Sequence, residues 1–127
     1  MKTFTARVIA AELMDDLNSF SLVLIENLDG SGERLEIHRA IQFDDVDKQM
    51  GMDTYCLCTE SGATCYGGVV SWKLGQGTLE IRLNDDASHV LCVDNGYLIS
   101  LNLSDTAYMT LHDSLVRLFG FMPGYDR

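Results

Sequence analysis

The feature of this 127-residue chain that most restricts its fold is a change in hydrophobic period. Over roughly the first two-thirds, apolar residues fall on every second position, the repeat of a half-buried strand. In the last segment they recur at helical spacing. Phe4, Ala6 and Val8 read as one strand face, followed by a turn in the stretch MDDLN at 14–18. Phe20 to Glu26 is strand-like and ends in the turn sequence NLDGSG at 27–32. Leu35 and Ile37, extending toward Ala40 and Ile41, mark a third strand with Glu36 and His38 on its other face. Alternation is then lost from Asp44 to Met52, which reads as a surface loop or a single helical turn.

Residues 51–72, GMDTYCLCTESGATCYGGVVSW, hold three of the four cysteines and a double glycine. Tyr55 to Thr59 and Thr64 to Trp72 are strand-like, and Ser61-Gly62 fits a two-residue hairpin turn. Pairing Glu60 with Ala63 sets Cys58 opposite Cys65, with Cys56 two residues along on the same side. Three thiols on one face are therefore expected. Tyr55, Leu57, Tyr66, Val70 and Trp72 fall on the opposite face, with Tyr55 lying over Gly68. The glycine pair also suits a bulge, which would change the phase beyond it.

Leu79, Ile81 and Leu83 alternate with Glu80 and Arg82 in the cleanest half-buried strand of the chain. Asn84 or Asp85 can cap a short helix to about Leu91, with Ala87, Val90 and Leu91 inward. Asn95-Gly96 turns into a strand over 97–103. Tyr108, Leu111, Leu115, Leu118 and Met122 then form an amphipathic stripe, with Ser104 or Asp105 as N-cap and Gly120 as the stop. Strands first and one long helix last predict an α+β domain spanning 1–127. The expected architecture is a mainly antiparallel sheet of about six to seven strands, one short helix and a long C-terminal helix on one face.

Composition narrows the function classes. Nineteen acidic residues against nine basic ones, a net charge of -10, repel nucleic acid and anionic membrane and attract basic partners. No basic patch is present. The start, MKTFTARVIA, lacks the apolar core of a signal peptide, and the longest apolar run, Leu22 to Ile25, is too short to span a bilayer. A cytoplasmic protein is expected, without membrane or nucleic-acid partners.

Candidate chemistry is sparse. A structural zinc site takes four Cys or His ligands, usually from paired C-x2-C knuckles. Here the spacing is C-x-C, six intervening residues, then C, and no fourth ligand is set by sequence. Cys92, His38, His89 or His112 could complete a site only if the fold carried one in. A Cys58–Cys65 disulfide is disfavoured in a reducing cytosol. The expectation is that Cys56, Cys58 and Cys65 are small core hydrophobes, with no metal and no cofactor. The acid pairs Asp15-Asp16, Asp44-Asp45 and Asp85-Asp86 suit surface turns or helix caps better than acid/base dyads. Neither a nucleophile elbow nor a phosphate loop occurs. No catalytic residue is expected.

Several pieces in order carry a resemblance: LEIHRA, FDDVDKQMGMDTYCL, GATCYGGVVSW, TLEIRL, a short Ala-containing helix and a closing amphipathic helix. Over Leu35 to Phe119 the chain resembles immunity protein family 10 of bacterial polymorphic toxin systems. The most specific parts are Gly51 to Cys56 and Tyr66 to Val69, while the first 34 residues correspond only as a strand pair. The resemblance implies a non-enzymatic cytoplasmic protein that binds and neutralises a cognate toxin. An acidic surface suits capture of a basic toxin domain, which directs attention to Asp44, Asp45, Asp47 and Asp53 as partner-binding residues. Two other classes remain open from the residues alone. One is a small-ligand or regulatory module with a pocket lined by Tyr55, Tyr66 and Trp72; the other is a small thiol- or metal-dependent enzyme.

Overall fold

The computed structural model describes residues 1–120. Among these residues, nine strands form two sheets rather than one. The first contains β1 (Lys2–Ala6), β9 (Gly96–Leu101), β8 (Thr78–Leu83) and β7 (Val69–Leu74), in that spatial order. The second runs β2 (Val8–Met14), β3 (Ser19–Ile25), β4 (Arg34–Ala40), β5 (Cys56–Thr59) and β6 (Thr64–Tyr66). All pairings are antiparallel except β1 with β9. Three helices complete the described residues: α1 (Asp45–Gln49), α2 (Asp85–Leu91) and α3 (Asp105–Phe119). The α+β class stands as expected from the sequence, with more strands.

The additional strands arise where an apparently continuous strand changes sheets. Phe4, Ala6 and Val8 do not share one strand: the chain leaves β1 at Arg7, whose amide donates to the Ile25 carbonyl at 3.0 Å, and β2 pairs with β3 instead. The same happens at Gly67-Gly68. There β6 ends in the second sheet and β7 begins in the first, so a single strand from Thr64 to Trp72 is not formed. A bulge between Val69 and Ser71 then leaves Val70 exposed and Trp72 buried, separating two residues that simple alternation puts on one face.

Register explains the core. In the first sheet Phe4, Ile99, Leu79 and Leu74 lie in one row across β1, β9, β8 and β7. Tyr97, Ile81 and Trp72 form the next row. In the second sheet Leu22, Ile37 and Leu57 align, as do Leu24 and Leu35. These rows are buried and join Ala87 and Leu91 of α2 and Leu111, Leu115 and Leu118 of α3 in one core. Both longer helices begin as their caps predict: Asn84 accepts from the Ala87 amide, and Ser104 from that of Ala107. Gly120 closes α3 with φ of 68°. Val90 is exposed, not inward, and Met122, the last residue expected on the α3 stripe, lies outside the described residues.

Burial has a titration consequence at Tyr97. Its phenol is pushed up to about 12, chiefly by desolvation, from an ordinary value of about 10. The unfolded chain therefore loses this proton first. The stabilising contribution is complete below about pH 10 and disappears as pH rises through the folded value. Urea midpoints should fall between about pH 9 and 11.5, and Tyr97→Phe should flatten that decline. An equally steep decline in the variant would assign it to other groups.

Candidate partner-binding surface

The acidic stretch singled out in the sequence forms an excursion between β4 and β5. Its base is tied down by Asn18, which adopts a left-handed φ of 51°. Asn18 donates from Nδ2 to the Gln42 carbonyl at 2.8 Å and accepts from the Gln42 amide at 2.9 Å. Its own carbonyl accepts from the Ile41 amide at 3.1 Å. At the other end Tyr55 is buried, and its hydroxyl accepts from the Val69 amide at 2.8 Å.

Between these anchors the five-residue α1 is built by its own acids. The Asp44 carboxylate accepts from the Asp47 amide at 2.7 Å, and the Asp47 carboxylate accepts from the Asp44 amide at 3.1 Å. This is a reciprocal capping box with Asp in the place of Glu. Asp45 adds a further negative charge to the first turn, where the helix dipole favours it. None of the α1 residues is buried.

The four acids named from the sequence thus divide by role. Asp44 and Asp47 are engaged in holding the turn, while Asp45 and Asp53 are exposed. Loss of alternation carries no sign of the apolar component: Val46 is 57% and Met50 67% exposed. Two accessible apolar side chains amid carboxylates fit an interface core with a charged rim. Glu60, also acidic and close in sequence, is drawn away into an ion pair with Lys2 at 3.3 Å, which Glu33 shares at 2.8 Å.

The thiol face differs from expectation. Thr59 pairs with Ala63, its amide donating to the Ala63 carbonyl at 3.0 Å. The turn is therefore Glu60-Ser61-Gly62, three residues, with Gly62 at φ of 88° and its amide donating to the Thr59 carbonyl. The one-residue change in register turns Cys65 to the other side. Cys65 pairs with Leu57 and packs against the core, whereas Cys56 and Cys58 lie on the opposite face with Thr64 and Tyr66. His38 sits directly across from Cys56 on that face.

The pocket required by a small-ligand module is not formed from the residues expected. Tyr55 and Trp72 are buried, and Phe119 fills the space between them, 4.8 Å from the Tyr55 ring and 6.0 Å from that of Trp72. Tyr66 is on the opposite face of the sheet. A cavity of about 270 Å³ lies elsewhere, lined by Phe20, Arg39, Ala40, Ile41, Arg117 and Leu118. The acid pairs are where turn and cap chemistry places them: Asp15-Asp16 in a 3-10 turn and Asp85-Asp86 at the start of α2. His112 contacts Asp113 at 3.1 Å on the exposed side of α3.

The sequence model of the family described as Immunity protein 10 matches residues 5–109. The chain belongs to this family. The match runs from within β1 to the early part of α3 and includes all of β2 to β9. It therefore extends well beyond the N-terminal limit of the resemblance visible from Leu35 onward. No curated protein and no solved structure matches the chain. As a member of the immunity protein 10 family, the chain belongs to a class whose partners are toxins, and the α1 excursion lies inside the matched span. No helix among the described residues is long and apolar enough to cross a membrane.

Proposed function

We propose that this protein binds a cognate toxin domain and neutralises it, in the cytoplasm and without catalysis, and that the toxin surface it meets is basic. Family membership over residues 5–109 carries the reading. The net charge of -10 supports the sign of the partner, because complementary charge accelerates encounter. The excursion from Ile41 to Asp53 is the contact region in this reading. Val46 and Met50 supply apolar contact, and Asp45 and Asp53 supply steering.

The test follows from the division of roles among the acids. Asp44 is unsuitable for charge reversal because its carboxylate caps α1, and removing a cap costs about 1 kcal/mol regardless of any partner. Asp45→Lys with Asp53→Lys leaves the capping box in place. Binding kinetics to the cognate toxin domain should show a roughly tenfold lower association rate at low salt, shrinking as salt screens the field. An unchanged association rate in a variant with native far-UV circular dichroism would place the interface on another face.

A further inference from the structure

We propose that His38, Cys56 and Cys58 form a binding site for zinc, with three protein ligands and a fourth, outward position taken by water. The three residues reach one point from two strands. His38 and Cys56 are register partners across β4 and β5, and Cys58 is two residues further along the same face. Their ligand atoms all lie within 4.8 Å of one another.

Two of the three separations match the edges of a tetrahedral site, and the third, between Cys56 Sγ and the His38 ring, lies within 4.8 Å. With Zn–S of about 2.3 Å and Zn–N of about 2.05 Å, tetrahedral angles require S···S of about 3.8 Å and S···N of about 3.6 Å. The Cys56 and Cys58 sulfurs are 3.8 Å apart. Cys58 Sγ is 3.4 Å from His38 Nε2. Two edges of the polyhedron are thus already set by the sheet. Two thiolates and an imidazole form a donor set of the kind zinc takes. The Thr64 hydroxyl donates toward Cys58 Sγ at 3.7 Å, a contact that orients the sulfur and offsets thiolate charge.

This departs from the sequence expectation of three structural thiols without a metal. Cys65 leaves the group and a histidine from an adjacent strand enters it. The spacing disguises the site, because C-x-C preceded by a histidine far upstream is not a zinc-knuckle pattern. Only the β4–β5 register assembles it. The metal would cross-link these strands at the root of the acidic excursion, since Cys56 directly follows the Tyr55 anchor. The inference does not depend on a toxin partner.

The decisive experiment titrates the reduced, chelator-treated full-length protein with Co²⁺ and then with Zn²⁺. One Co²⁺ per chain should bind, with sulfur-to-cobalt charge transfer in the near ultraviolet and the visible bands of tetrahedral Co²⁺, and Zn²⁺ should abolish both. His38→Ala and Cys58→Ser, at partly exposed positions, should each weaken binding by more than about tenfold. Cys65→Ser and Cys92→Ser should leave it intact. Excess Zn²⁺ should raise the melting temperature of the parent protein but not of His38→Gln. Absence of thiolate–cobalt absorption, or binding insensitive to both His38 and Cys58, would overturn the site and leave a hydrogen-bonded thiol pair.

Discussion

Gly68→Ala is expected to destabilise the protein by roughly 2–5 kcal/mol, combining backbone strain with overpacking. Gly68 adopts φ of 95° at the point where the chain crosses between sheets. Its carbonyl accepts from the Asn84 amide at 2.9 Å, which ties the crossing to the start of α2. A methyl group there would meet the Ala87 Cβ at 2.5 Å, inside the normal contact distance. Gly67 supplies the comparison. Its φ is 72°, but a methyl would meet nothing closer than Thr54 Cγ2 at 3.7 Å, so Gly67→Ala should cost only the conformational part, about 1–2 kcal/mol. Ala87→Gly in the Gly68→Ala background should restore room and recover part of the loss, despite the roughly 1 kcal/mol that glycine costs inside a helix. Urea denaturation of the parent, Gly68→Ala, Ala87→Gly and the double variant gives the coupling. Equal costs for Gly67→Ala and Gly68→Ala would show that α2 retreats freely and that no tight contact fixes it.

Leu115→Ala should cost roughly 2–5 kcal/mol, the range for removing a fully buried leucine side chain. Leu115 is completely buried between Leu111 and Leu118 on the α3 stripe. The helix is held on several sides, which limits collapse into the space left behind. The Arg39 guanidinium donates to the Leu118 carbonyl at 3.2 Å, Arg117 stacks over Phe20 at 4.7 Å, and the Tyr108 hydroxyl donates to the Gly75 carbonyl at 2.6 Å. Met109, on the same helix but 63% exposed, provides the control. Met109→Ala should change stability by no more than about 0.5 kcal/mol. A loss below about 1 kcal/mol for Leu115→Ala would make α3 peripheral to the core.

Much of the local structure was legible because it depends on neighbours in sequence. The caps at Asn84 and Ser104, the stop at Gly120, the alternation of Leu79, Ile81 and Leu83, and the stripe of α3 all follow from propensity and period. The motif stretches around Gly51 to Cys56 and Tyr66 to Val69 also lie within the span that establishes the family. The position of the acidic excursion between two strands could be read from its loss of alternation.

What the sequence did not reveal involves relations between strands. Alternation reports which residues share a face of one strand, yet it carries no information about which sheet that strand joins. Hence Val8 and Val69 appeared to continue strands that in fact end at Arg7 and at Gly67-Gly68. Hairpin register depends on the backbone conformation of the turn, and Gly62 in the left-handed region adds one residue to the loop. That single step moved Cys65 inward and left Cys56 and Cys58 facing His38. Charge and period, which act along the chain, were determined by the sequence alone; the meeting of His38 with the two thiols was decided only by tertiary structure, because it requires hydrogen-bonded register between residues twenty positions apart.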